Sequence, residues 1–146
     1  IQACLLHNTL GIQHLIQACD EHTQLIQLSS VGVYGSGDSV DESHNCQPET
    51  PYSTLKLAAE ELILAGMKPE NRLILRLSNI YGSTQPKGVF AYLLRSGLSD
   101  EVLDFNNDGS LFRFFLHVED LSQAMFQVME RMEWGMTPIL NMVGSI

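Results

Sequence analysis

Tyr52 and Lys56 stand four residues apart in the run Pro51-Tyr52-Ser53-Thr54-Leu55-Lys56. On a helix that spacing puts both side chains on one face. A phenol beside an ammonium is an acid–base pair. The positive charge favours the phenolate and draws the tyrosine pKa down from about 10 toward working pH. Such a tyrosine can take a proton from a sugar hydroxyl and return it to a ketone. The same spacing also arises on ordinary helix faces, where a lysine stem simply lies along the surface. Ser30 is the next candidate. It closes the apolar run Leu25-Ile26-Gln27-Leu28-Ser29-Ser30, and in open α/β sheets the carboxyl ends of strands carry the site. A strand-end serine can equally serve only its own backbone.

The elements that must hold these groups can be read from pattern. Residues 52–65 predict a helix: Ala, Leu, Glu and Lys dominate, with Leu55, Leu62 and Ile63 at helical spacing. Pro51 suits its first turn, and Gly66 suits its end. Residues 24–29 and 72–77 read as buried parallel strands, short and apolar between polar flanks. Ser78, Asn79 and Tyr81 follow the second strand, where Asn79 can be a turn former or a ligand group. Residues 1–20 read as a helix that Asn8-Thr9-Leu10-Gly11 interrupts. A loop over 83–88 leads to a helix over 89–94. Leu103 and Phe105 suggest a short strand, and Asn106-Asn107-Asp108-Gly109 a turn. His117-Val118-Glu119-Asp120 opens a last helix, with acidic residues suited to its dipole, and residues 138–144 read as a final strand. Strands alternating with helices make this an α/β chain.

Length and composition narrow the function classes. The chain has 146 residues, enough for one domain with a real core, and is 45% hydrophobic and 17% charged. Its net charge is −9, with 8 basic against 17 acidic residues, which argues against nucleic acid or an anionic membrane as partner. No apolar run reaches the roughly 18 residues of a membrane span. No basic region opens a signal peptide. The three cysteines, Cys4, Cys19 and Cys46, lack C-x-x-C spacing and read as free thiols of a cytoplasmic protein. The five histidines are scattered and build no metal set. Gly32-x-x-Gly35-x-Gly37 imitates a dinucleotide fingerprint, but Asp38, Asp41 and Glu42 follow it in a polar loop. A true fingerprint opens straight into a helix that holds pyrophosphate.

Four blocks in order carry a resemblance. They are Leu25 to Gly35, Tyr52-x-x-x-Lys56, Arg76-Leu77-Ser78-Asn79-Ile80-Tyr81-Gly82, and Arg113 to Asp120. Together they resemble the extended short-chain dehydrogenase/reductase family, in its NAD-dependent nucleotide-sugar epimerase/dehydratase branch. The resemblance implies a partial Rossmann-like parallel sheet with flanking helices, plus part of a small substrate-binding region over about 79–120. It implies Ser30, Tyr52 and Lys56 as the catalytic set, with Ser30 orienting the substrate and Lys56 also binding the nicotinamide ribose. It places Asn8 near the nicotinamide, and Asn79 and Arg113 on the substrate diphosphate. Ile12 stands where the family has Thr after the Asn-x-x-Gly, and Phe114 stands where Asp usually follows the arginine.

What the resemblance implies for function is hydride transfer at a sugar carbon, with NAD or NADP as cofactor and a nucleotide-sugar or another small carbonyl or hydroxyl compound as substrate. The resembling dehydratases carry Asp-Glu directly after the catalytic Ser or Thr. Here Val31-Gly32 stand there, so an epimerase is favoured. A keto-sugar reductase needs the same three residues, and a non-catalytic module that kept the fold is the alternative from another class. A homodimer through a helix bundle that includes the Tyr-Lys helix is implied as well. The family's opening strand, Gly-x-x-Gly-x-x-Gly loop and helix are not in this sequence. The expectation is that the chain alone binds NAD poorly and leaves one sheet edge exposed.

Overall fold

The structure, a computed structural model, describes residues 2–37, 40–83, 85–99, 102–104, 108, 112–131 and 134–144, with the side chains of residues 2–4 outside the description. Its elements run α1 (Gln2–Asn8), α2 (Leu10–Ala18), β1 (Leu25–Ser30), a 3-10 turn (Val31–Tyr34), α3 (Pro51–Gly66), a second 3-10 turn (Pro69–Asn71), β2 (Arg72–Leu77), β3 (Asn79–Tyr81), α4 (Val89–Leu98), β4 (Phe115–His117), α5 (Val118–Arg131) and β5 (Ile139–Met142). The main sheet has the order β1-β2-β5, and a second, two-stranded sheet pairs β3 with β4. All three pairings are parallel. The α/β class and parallel sheet expected from the sequence are therefore present.

β2 is the centre of the sheet. Leu73, Ile74 and Leu75 are each fully buried, as are Ile63 and Ala59 of α3 and Val33 of the turn. Burying each large aliphatic side chain contributes about 1.5–3 kcal/mol. α3 lies across β1 and β2, and α1 and α2 pack against α3. Arg72 ties the end of α3 to the start of β2 by donating to the carbonyls of Leu64 and Met67. A cation there also suits the negative end of the helix dipole.

β1, read as a buried strand over 24–29, stands at the sheet edge expected to be exposed; it is half-buried along most of its length, with Leu28 exposed. Among the described residues only β2 pairs with it. Its apolar run reflects one covered edge and one face under α3. The first helix is two helices. At the break the Thr9 hydroxyl donates to the Leu5 carbonyl at 2.7 Å, a back-bond that bends helices. Leu103 lies outside any strand, while Phe105 and residues 106, 107 and 109 fall outside the described residues. His117 belongs to β4, one residue before α5 begins.

Among the described residues one ion pair sits in this core. The Glu60 carboxylate accepts from Arg76 Nη2 at 2.7 Å and from Nε at 3.2 Å, and both side chains are almost wholly buried. Ser29 also donates its hydroxyl to Glu60. The Tyr34 ring covers the guanidinium, with Arg76 Cζ 4.7 Å from the ring centroid. Burial alone would favour a neutral Arg76; the hydrogen bonds and charge of Glu60 outweigh it and hold its pKa above the ordinary arginine value. Two desolvated charges depend on each other, so loss of one leaves the other stranded. Arg76→Met should cost about 3–5 kcal/mol of stability in urea unfolding, and adding Glu60→Leu to it should recover most of the loss. Equal stability of Arg76→Met and the parent would show that the pair is dispensable.

Candidate active site

A cavity of about 800 Å³ opens at the carboxyl ends of β1 and β2. Ser30, Tyr52, Asn79 and Arg113 line it, joined by Ser29, Val31, Gly32, Ser78, Phe114 and Asn141 among others. Four of the six residues singled out in the sequence therefore meet at one place.

Each is delivered by a local device. Thr50 caps α3: its hydroxyl oxygen accepts from the Ser53 N–H at 3.1 Å, with Pro51 in the first turn. That fixes where the helix begins and so where Tyr52 stands. Ser30 ends β1, and its hydroxyl oxygen accepts from the Gly32 N–H at 3.1 Å, capping the 3-10 turn. The hydroxyl proton is not used by that bond and can be given to a ligand. Gly32 allows the turn to sit against the first turn of α3. A Cβ there would come within 3.0 Å of Ser53 Oγ and 3.3 Å of Ser30 Oγ. The turn ends at Gly35, whose φ of +79° suits glycine.

Tyr52 is 59% exposed at the cavity mouth. Lys56 lies one helical turn on. Its Nζ is 5.8 Å from the Tyr52 ring centroid and donates to the Leu28 carbonyl at 3.0 Å. Helical spacing has thus put the phenol and the ammonium together, with the lysine anchored on β1. Lys56 borders the site through Tyr52 and is not itself a lining residue of the cavity. Asn8, half-buried at the end of α1, does not line it either.

Asn79 lines the cavity and also ties down a segment distant from it in sequence. Its Nδ2 and its backbone N–H both donate to the Phe114 carbonyl, at 3.0 and 3.2 Å. It therefore clamps the segment 112–114 that carries Arg113 to the start of β3. Arg113 is exposed at the cavity rim. Phe114, in the place where an acid was expected, makes its tie through a backbone carbonyl, which any residue supplies.

The acidic loop after the 3-10 turn is more than a solvated surface. Glu42 accepts from the Asn141 N–H at 2.6 Å, closing the outer side of β5. Asp41 is exposed; the Ser43 hydroxyl and His44 hold its carboxyl down at about 2. No helix starts between Gly35 and Pro51 among the described residues, so the Gly32-x-x-Gly35-x-Gly37 run has no dinucleotide-loop geometry. Cys19 and Cys46 are free thiols. Burial pushes the Cys46 thiol up despite the nearby Arg76 charge. Among the described residues no cluster of His, Cys, Asp or Glu could hold a metal, and no helix is long and apolar enough to cross a membrane.

Sequence reasoning missed three residues. Ser78 and Asn141 line the cavity, and Glu60 underlies it. Asn141 accepts from the Tyr34 hydroxyl at 2.9 Å. The available signals were a polar residue inside the apolar strand Ile139–Met142, and Glu60 continuing the Tyr52, Lys56 spacing by four.

Residues 1–142 match the family model described as the NAD dependent epimerase/dehydratase family. The chain belongs to that family. The trifunctional UDP-glucose 4,6-dehydratase/UDP-4-keto-6-deoxy-D-glucose 3,5-epimerase/UDP-4-keto-L-rhamnose-reductase of Arabidopsis thaliana is 29% identical over 140 residues, covering 88% of this chain and 21% of that protein. The solved dTDP-glucose 4,6-dehydratase of Bacillus anthracis, in complex with NAD, superposes with a TM-score of 0.87 at 27% identity, covering 97% of this chain and 48% of that one. The UDP-glucuronic acid 4-epimerase of Bacillus cereus, in complex with UDP-glucuronic acid and NAD, gives a TM-score of 0.83 at 28% identity, covering 97% and 47%. The chain spans about half the length of these solved relatives and a fifth of the plant enzyme. The Rossmann-like architecture expected from the four motif blocks is that of these structures.

The exposure of Tyr52 separates site from scaffold. Tyr52→Phe should change stability by less than about 0.5 kcal/mol. Tyr34→Phe, which deletes the bond to Asn141, should cost about 1 kcal/mol. Thermal unfolding of the two variants checks this, and a larger loss in Tyr52→Phe would mean that its hydroxyl serves the fold.

Proposed function

We propose that this chain supplies the proton-transfer and substrate-holding residues of an NAD-dependent nucleotide-sugar epimerase. The observation that carries the reading is one cavity lined by Tyr52, Ser30 and the Arg113 segment. Tyr52 and Ser30 offer groups for a sugar hydroxyl, and Arg113 a guanidinium whose planar fork suits a diphosphate.

The residues present fit one end of NAD. The Tyr52 phenol and Lys56 ammonium, within one helical turn and 5.8 Å ring to cation, offer donors for ribose hydroxyls beside the sugar site. The described residues offer no glycine loop opening into a helix for the pyrophosphate. When bound, the cofactor supplies hydride acceptance and return.

The chain's own residues do the rest. Tyr52 takes the proton from the sugar hydroxyl as that carbon becomes a ketone, and gives it back when the carbon is reduced from the other face. Lys56 sets a positive charge beside the phenol while it is deprotonated. Ser30 donates its free proton to the same sugar oxygen and fixes its distance from Tyr52. Arg113 binds the diphosphate at the rim, and Asn79 holds Arg113 there through Phe114. Asn8 belongs to the cofactor side of this reading.

An epimerase is preferred over a dehydratase on one observation. Val31 and Gly32 line the cavity directly after Ser30, and neither carries a titratable group. Elimination of water from the sugar needs an acid and a base there; epimerisation needs only Tyr52.

Tyr52→Phe should lower conversion of a nucleotide sugar, assayed with NAD by chromatography of the product, by about a hundredfold or more while substrate binding persists. A variant as active as the parent would remove Tyr52 from the mechanism. A parent chain that binds no nucleotide sugar would favour the non-catalytic module instead.

A further inference from the structure

Asn141 is held at every point but one. It lies on β5, in register with Arg76 of β2. Its backbone N–H donates to a Glu42 carboxylate oxygen at 2.6 Å. Its Oδ1 accepts from the Tyr34 hydroxyl at 2.9 Å, and Tyr34 is buried in the 3-10 turn after β1. The tyrosine proton makes Oδ1 the tied end of the amide and leaves Nδ2 as the other.

Among the described residues Nδ2 has no protein partner. It is not sealed off either: the sealed side-chain atoms without a partner are Nε of Arg72, Nη1 of Arg76 and the Ser78 hydroxyl. Asn141 is half-buried and lines the cavity. Water serves Nδ2 in the free protein, and a ligand oxygen can take the place of that water at no cost to the fold. Three ties thus fix a donor that the fold itself does not use. A donor fixed before the ligand arrives loses little freedom when it binds.

Position and charge narrow what the donor meets. Ser30 pairs with Leu77, and Leu77 with Met142, the residue after Asn141. Ser30 and Asn141 therefore stand near one level on the two strands that flank β2. Two strand spacings separate those strands, about 10 Å. Leu77 and Ser78 of the intervening chain line the same cavity. A sugar ring with a hydrogen bond at either side spans such a gap. The reacting hydroxyl is assigned above to Ser30 and Tyr52, and the diphosphate to Arg113. Asn141 is left for the far side of the ring, where an uncharged amide donor suits a hydroxyl or ring oxygen.

We propose that Asn141, oriented by Tyr34, donates Nδ2–H to an oxygen of the sugar ring on the side away from Ser30. This rests on the nucleotide-sugar reading above. It adds to that reading a substrate-binding residue, Asn141, and a positioning residue, Tyr34. Loss of either loosens the hold on the sugar and leaves the hold on the nucleotide unchanged.

UDP-glucose and UDP are titrated by calorimetry, with NAD present, into the parent chain, Asn141→Ala, Tyr34→Phe and the double variant. Asn141→Ala should lower UDP-glucose affinity about three- to tenfold. Tyr34→Phe should lower it by a smaller factor, and should add nothing in the Asn141→Ala background, because its effect runs through the amide. UDP affinity stays at the parent value throughout. Equal UDP-glucose binding by the parent and Asn141→Ala overturns the contact. A matching loss for UDP overturns the assignment to the sugar. Losses that multiply in the double variant overturn the role of Tyr34. Should Asn141→Ala fail to fold, Tyr34→Phe alone decides: UDP-glucose affinity at the parent value overturns the inference. Failure of the parent itself to bind UDP-glucose is a separate result: it removes the nucleotide-sugar reading, and this inference with it.

Discussion

Three elements of this protein meet on one carboxylate. Glu60 of α3 accepts from Arg76 of β2 and from Ser29 of β1. Each partner is close in sequence to the cavity: Ser29 lines it, Arg76 precedes the lining residue Leu77, and Glu60 lies about two turns after Tyr52 on α3. The ion pair therefore sets the distance between the helix that carries the acid–base tyrosine and the strand ends that carry the hydroxyls. Its energy is a balance of large terms. Desolvation of two ions is repaid only because the guanidinium meets both carboxylate oxygens and a tyrosine face. Apolar residues would fill the same volume, but they would not fix the register of α3 against the sheet.

Above that anchor the polar groups are graded. Committed groups lie deepest: the Glu60 carboxylate, Nε and Nη2 of Arg76, and the Ser29 hydroxyl. The half-buried Asn141 on the cavity wall has one end of its amide tied, and the exposed Tyr52 and Arg113 stand at the mouth. This order suits a ligand with a neutral end and an anionic end. It also explains why Asn79 and Phe114 make backbone ties: they place a rim arginine whose own segment has no regular structure.

Most of this was legible where one period or one motif decides the outcome. The helix from Pro51, the strand Arg72–Leu77 and the positions of Ser30, Tyr52 and Lys56 follow from apolar spacing and four ordered motifs. The open sheet edge was legible from the family strands that this sequence does not contain, whereas the half-burial of β1 was not, because pairing is not local and an edge strand under a helix has the apolar composition of a central one. The three-residue strands β3 and β4 were too short to show a period, so Asn79 and His117 were read as loop and helix residues. The clamp from Asn79 to Phe114 spans 35 positions and rests on a backbone carbonyl, which leaves no trace in residue type. Asn141 was visible as a residue but not as an amide tied at one end, since that tie to Tyr34 is a property of the packed chain.

The central claim is that the cavity at the carboxyl ends of β1 and β2 is where a nucleotide sugar binds. Mapping amide chemical shifts while adding UDP-glucose in the presence of NAD tests it most directly. The expected perturbations cluster at Ser29 to Gly32, Tyr52, Ser78 to Ile80 and Arg113, and leave α5 unchanged. Saturable shifts confined to other surfaces, or none at ligand concentrations in the millimolar range typical of weak substrates, would contradict it.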